Sequence, residues 1–202
     1  MKQQFELIQS LNHPNIIKAS EHFESQKNEY IVYEYFQTDL AKLIKNRKPQ
    51  VSEIKCFTKQ IFSALVYLHE RNIIHRDVKP DNFLIEENKN LILCDFDLAK
   101  IFENLKEKKC KNVCTVYYKP PEVLVGSQYY DETIDVWAAG CVIAEMLLGK
   151  PLFECRNEIG VLNKIFELIG SPNVILNNLF YFIFYLKNPI FFLQILINIH
   201  FL

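Results

Sequence analysis

Phe5, Ile8 and Leu11 recur every three residues, so the first eleven positions predict a helix with one apolar face. Asn12-His13-Pro14-Asn15 ends it, because the residue before a proline avoids helical geometry. Residues 16–25 and 29–35 read as two strands around a Gln26-Lys27-Asn28 turn. A short helix is expected at 39–47. A longer one follows, with Ser52 as its N-cap and Ile54, Phe57, Ile61, Leu65 and Leu68 as its buried stripe. Short strands are expected at 83–85 and 91–94. The pattern then changes: between Asp135 and Glu145 there is no charge, and Gly149 followed by Pro151 supplies a stop. A helix apolar on all sides is a buried one, so 133–149 is the expected centre of the fold. Leu162, Ile165, Phe166 and Ile169 form one more amphipathic helix before Gly170-Ser171-Pro172.

Composition narrows the class. The chain has 202 residues, half of them hydrophobic, enough for one good core. A net charge of −1 argues against an electrostatic nucleic-acid partner. Met1 leads into a polar, amphipathic stretch with no secretory h-region. The six cysteines, at 56, 94, 110, 114, 141 and 155, lack metal-ligand spacing and read as reduced thiols of an intracellular protein. After Glu167 no acidic residue recurs, and 173–202 forms a divergent apolar tail. Its two apolar runs, about thirteen residues each, are short of the ~20 a membrane span needs, and Lys187 interrupts them.

The run His75-Arg76-Asp77-Val78-Lys79-Pro80-Asp81-Asn82 carries the chemistry. It holds a carboxylate, an ammonium and an amide at fixed spacing, and Asp95-Phe96-Asp97 begins thirteen residues after Asn82. A phosphoryl-transfer transition state gathers negative charge, so it needs cations, metal ligands and one oriented base close together. H-R-D-x-K-x-x-N followed by D-F-x is the catalytic-loop and metal-loop pattern of protein kinases. From about residue 4 to 172 the chain resembles the eukaryotic serine/threonine protein kinases of the group holding cyclin-dependent and mitogen-activated kinases. Leu11–Ile17 matches the end of their regulatory helix, Tyr30–Phe36 their hinge with Tyr33 as gatekeeper, and Thr115-Val116-Tyr117-Tyr118-Lys119-Pro120-Pro121-Glu122 their T-x-W-Y-R-A-P-E.

The resemblance implies an α+β, partial protein-kinase fold, truncated at both ends. Residues 1–36 would be a remnant N-lobe of helix C, two strands and the hinge, and 37–172 a mostly helical C-lobe. It implies ATP and Mg2+ as cofactors. Asp77 would accept the proton of a substrate hydroxyl, Lys79 would neutralise the transferred group, and Thr115 would bridge the two. Asn82 and Asp95 would hold magnesium. Backbone groups around Glu34 and Phe36 would bind adenine over Leu84, with Asp39 near the ribose. Asp135 would accept hydrogen bonds from catalytic-loop backbone. Protein substrates are implied, with Ser/Thr-Pro as the group's preference, and a regulatory protein subunit would bind at the first helix. The implied location is cytoplasmic, nuclear or both.

Departures accompany these matches. The 202 residues contain no Gly-rich phosphate loop and no V-A-I-K-type lysine strand. Gln4 occupies the place of the glutamate that pairs with that lysine, and Glu6 cannot replace it, lying about 200° further round the helix. Cys110 stands at the phosphorylated threonine, so Arg76 would be free or paired with an acid. Lys106, Lys108, Lys109 and Lys111 add like charge nearby. Asp97 replaces the metal-loop glycine, at a position where the left-handed backbone is expected. Lys119 replaces the arginine linked with proline preference. These features leave a catalytically inactive kinase-like binding module as the alternative to an enzyme.

Overall fold

The computed structural model describes residues 2–25, 28–102 and 113–170. Gln26, Lys27, the four lysines at 106–111, Cys110 and the tail at 173–202 lie outside the described residues. The expected first helix is α1 (Lys2–Gln9), which buries Ile8. It packs against β1 (Ala19–Ser25), which pairs antiparallel with β2 (Asn28–Tyr33) in the register Phe23↔Tyr30. The first strand starts later than its alternation suggests. Ile16 forms a parallel bridge with Leu93 instead, through Ile17 N–H to the Leu93 carbonyl and Leu93 N–H to the Asn15 carbonyl, both 2.9 Å. The cause is the buried Asn15 amide, which donates at 2.9 Å to both Gln60 Oε1 and the Leu91 carbonyl. Segment 12–17 is thereby tied to the helical part of the molecule rather than to the hairpin.

Beyond the hinge come β3 (Thr38–Asp39), α2 (Leu40–Asn46) and α3 (Val51–His69). Asp39 caps α2, accepting from Lys42 N–H at 2.8 Å. Ser52 does not cap α3. The cap is Gln50 and the helix starts two residues earlier, because Glu53 accepts the Gln50 backbone N–H at 3.0 Å and so satisfies a donor that the helix leaves orphaned. Glu53 also receives both Arg47 guanidinium nitrogens, at 2.7 and 2.8 Å, and Lys89 Nζ at 3.1 Å. One carboxylate therefore joins the end of α2, the start of α3 and the turn at Lys89. Those bonds, that from Arg47 first, hold it well below the usual carboxylate range.

β5 (Phe83–Ile85) pairs antiparallel with both β3 and β6 (Leu91–Leu93), while β4 (Ile73–Ile74) pairs with β7 (Lys100–Ile101). The last helices are α4 (Pro121–Leu124), α5 (Thr133–Leu148) and α6 (Glu158–Ile169). As the uncharged stretch between Asp135 and Glu145 implies, α5 is the central rod: Ile134 through Met146 are buried except Val136. It packs on α3, whose stripe Ile54, Phe57, Ile61, Leu65 and Leu68 is buried in the same core. Trp137 stacks on Phe153 at 6.0 Å between ring centres. Gly149 ends α5 in the left-handed conformation, φ 76°, returning its N–H to the Glu145 carbonyl at 2.8 Å. The α+β class expected from sequence is the observed one. Among the described residues, no helix is long and apolar enough to cross a membrane.

Phe57 is 1% exposed; Phe57→Ala is expected to cost about 3–5 kcal/mol, read as a lower midpoint in denaturant titration. Glu53→Gln is expected to cost about 1 kcal/mol at pH 7, the value for a solvent-screened network with one helix-cap bond. The Glu53 carboxyl is depressed in the folded state, so its contribution is present above the unfolded carboxyl pKa of about 4.3 and is lost as pH falls below it. Melting curves of the two proteins should therefore begin to converge below about pH 4.3 and go on converging as pH falls toward the depressed folded-state value.

Candidate active site

Residues 75–82 have little regular structure, and their shape is set by one buried side chain. Asp135, in the first turn of α5 and 1% exposed, accepts His75 N–H and Arg76 N–H, both at 2.8 Å. His69, at the end of α3, donates Nε2–H to it at 3.0 Å. The anchoring role expected of Asp135 is thus met, with a third donor that sequence did not identify. The N-cap position of α5 is Glu132. His75 is fully buried. Its Nε2 donates to the Cys94 carbonyl at 3.0 Å, its Nδ1 accepts Asp77 N–H at 3.3 Å, and burial lowers its pKa. Both ring nitrogens of a neutral imidazole are satisfied, so the ring is a strut between the loop and the strand that leads to Asp95.

Four of the expected residues meet on this frame. Asp77 Oδ2 receives Lys79 Nζ at 2.6 Å, and Asp77 Oδ1 receives Thr115 Oγ1 at 2.8 Å and Thr115 N–H at 3.0 Å. Lys79 Nζ also donates to Thr115 Oγ1 at 3.2 Å, so Thr115 lies between the Asp77 carboxylate and the Lys79 ammonium. Asn82 gives its amide N–H to the Asp77 carbonyl at 2.8 Å. Burial alone would push the Asp77 carboxyl up; the bonds from Lys79 and Thr115 outweigh it and hold the carboxyl below its ordinary value. Asp77 is ionised and aimed at neutral pH.

The metal loop lies alongside. Cys94 N–H donates to the Asn82 carbonyl at 2.9 Å, which places Asp95 next to the Asn82 turn. With its nitrogen committed to Asp77, Asn82 has its amide oxygen to offer a cation. An amide oxygen and a carboxylate are hard donors that suit Mg2+, which binds through one or two protein oxygens plus substrate phosphates. Among the described residues there is no group of three or more His, Cys, Asp or Glu that could hold a metal ion.

The nucleotide residues are less gathered. Glu34 and Phe36 line two open clefts of about 310 and 510 Å3 beside the extended 34–37 segment. Leu84 lines neither; it sits half-buried in β5, paired with Asp39 on one side and Ile92 on the other. The Asp39 carboxylate is engaged with Lys42, through the α2 cap and an ion pair of 2.9 Å. Burial, then the charge of Asp97, pushes the Tyr33 hydroxyl up to about 12. Burial pushes the Cys94 thiol up to about 12 as well, leaving it protonated and unreactive.

Two expectations are corrected here. Asp97 does not take the left-handed conformation; Asp95 does, φ 62°, as do Arg76, φ 69°, and Cys114, φ 62°. Non-glycine residues with such backbones cluster at functional sites, where surrounding contacts hold the strain. Residue type does not mark Arg76 or Cys114, whereas Asp95 is of a type that tolerates this backbone. Among the described residues Arg76 is neither free nor paired with an acid. Its Nε donates to the Leu98 carbonyl at 2.5 Å, its Nη1 to the Tyr130 hydroxyl at 3.4 Å, and its guanidinium lies 5.6 Å from the Phe102 ring centre. Lys119 is buried and pairs with Glu158 of α6 at 2.5 Å. Tyr118 donates to Glu145 of α5 at 2.7 Å, so the 115–122 segment is fastened to two helices.

Comparison with known proteins agrees with this geometry. The model of the protein kinase domain matches residues 1–179. CTD kinase subunit alpha of Schizosaccharomyces pombe is 39% identical over 171 residues, covering 83% of this chain and 29% of the relative. Cyclin-dependent kinase D-1 of Arabidopsis thaliana is 39% identical over 84% of this chain and 43% of its own length, and cyclin-dependent kinase 2 of Caenorhabditis elegans 38% over 83% and 47%. The chain thus spans less than half the length of these curated relatives. Among solved structures, the yeast RNA Pol II CTD kinase CTDK-1 complex contains a chain with TM-score 0.80 and 35% identity, covering 86% of this chain and 58% of that one. With the loop anchored on Asp135, the Asp77–Lys79–Thr115 cluster assembled and the domain model matched, the chain belongs to the eukaryotic serine/threonine protein kinases, in the group of the cyclin-dependent and mitogen-activated enzymes.

Proposed function

We propose that this chain carries the phosphoryl-transfer site of a serine/threonine protein kinase using Mg-ATP. The observation that carries the reading is the arrangement of the Asp77 carboxylate, ionised and held by Lys79 and Thr115. A carboxylate so fixed loses little entropy on meeting a substrate hydroxyl, and positioning is most of what this reaction asks of the protein. Asp77 accepts the hydroxyl proton. Lys79 sets a positive charge beside the base, where negative charge grows on the transferred group. Asn82 and Asp95 offer oxygens to Mg2+, which when bound neutralises charge on the phosphates. Glu34 and Phe36 would meet the adenine, with Leu84 beneath and Asp39 near the ribose. Substrates would be proteins bearing Ser or Thr, with proline after them; a regulatory protein would dock at α1.

A second reading, a kinase-like binding module without catalysis, is favoured by Gln4 at the glutamate position. Radiolabelled Mg-ATP with a Ser/Thr-Pro peptide separates the two. Label enters the peptide on the first reading, and Asp77→Asn lowers the rate at least about a hundredfold with the fold intact by circular dichroism. No transfer above the Asp77→Asn background would leave the binding module standing.

A further inference from the structure

Gln4 and Asp97, two departures from the family pattern, touch each other. Gln4 Nε2 donates to Asp97 Oδ1 at 2.6 Å, across 93 positions of sequence. Asp97 N–H in turn lies 3.4 Å from Asp95 Oδ1. A cleft of about 340 Å3 separates the rest of α1 from the metal loop, lined by Gln3, Gln4, Leu7, Phe96, Asp97 and Ala99. The α1 helix is otherwise fixed to the hairpin: Lys2 N–H bonds Glu29 at 2.9 Å, Gln9 bonds the Ala19 carbonyl, and Phe5 stacks on His22 at 5.4 Å. The Gln4–Asp97 bond therefore spans the gap between the hairpin unit and the loop that bears Asp95.

We propose that Gln4 is a positioning residue: its side-chain amide holds Asp97, and through it sets the orientation of Asp95 toward magnesium. The chemistry explains why the two departures belong together. A carboxylate at 97 accepts only, so it needs a donor at 4. A glutamate there would set two like charges at hydrogen-bonding distance and push α1 off the loop. The family's residue at position 4 is thus the wrong one for this chain, and the proposal rests on the Mg-nucleotide reading given above.

The experiment is a double-mutant cycle on the whole chain, with two readouts. One is the Mg2+ concentration giving half-maximal binding of a fluorescent ATP analogue; the other is the melting temperature without nucleotide or magnesium. Gln4→Glu should raise the Mg2+ requirement about tenfold, the equivalent of one charge-assisted hydrogen bond, and lower the melting temperature by a few degrees. Gln4→Glu combined with Asp97→Asn restores the bond with donor and acceptor exchanged, and both readouts should return to within about threefold and one degree or so of wild type. A double variant no better than Gln4→Glu alone overturns the proposal. So does a Gln4→Glu protein that melts lower with an unchanged Mg2+ requirement, since that contact would be structural only. Should the wild type bind no analogue at any Mg2+ concentration, the kinase reading fails and the positioning of Asp95 toward magnesium fails with it. The melting cycle then reports by itself whether positions 4 and 97 are joined, so the two failures are told apart.

Discussion

A single buried carboxylate, Asp135, fixes the geometry on which the chemistry depends. It is 1% exposed and accepts three hydrogen bonds, from His75 N–H, Arg76 N–H and the His69 ring. A buried charge is tolerated only when such donors surround it, and two buried backbone N–H groups are tolerated only when they have an acceptor. Each side of this contact thus requires the other. Because α5 is apolar around Asp135 and packed on α3, the anchor cannot drift, and the irregular loop at 75–82 inherits the rigidity of the core. Arg76 keeps its left-handed backbone under that constraint.

The departures from the family pattern are not vacancies in the structure. Where Lys119 stands in place of arginine, it pairs with Glu158 at the start of α6. Where the usual phosphate partner of Arg76 is a cysteine, the guanidinium bonds the Leu98 carbonyl and the Tyr130 hydroxyl. Where the helix glutamate is Gln4, the side chain reaches Asp97. In each case a polar group that the family satisfies in one way finds another partner nearby. A site can therefore keep the arrangement of its Asp77 carboxylate, Lys79 ammonium and Asn82 amide while the supports around it change.

Periodicity was enough to locate α1, α3, α5 and α6, because burial on one face writes itself into spacing: the stripe of α3 and the uncharged 136–144 stretch of α5 were both legible. Strand edges were not. The alternation at 16–25 carried no sign that Asn15 would be pulled onto Gln60 and Leu91, which are 45 and 76 positions away. The cap of α3 was misplaced for a similar reason, since Ser52 has the better local chemistry but Glu53 has three partners in space. In the site, Asp77, Lys79, Asn82, Thr115 and Asp135 were legible from motif spacing. His69 and the positive-φ backbones at Asp95 and Cys114 were not, because nothing local in sequence encodes a contact made across the fold.

Amide hydrogen exchange at His75 and Arg76 tests the central constraint most directly. In the wild-type chain both amides should exchange as slowly as the core amides of α3 and α5, and Asp135→Asn should speed them selectively while those helices stay protected. Exchange of the two amides at the rate of exposed loops in the wild type, or no change in the variant, would contradict it.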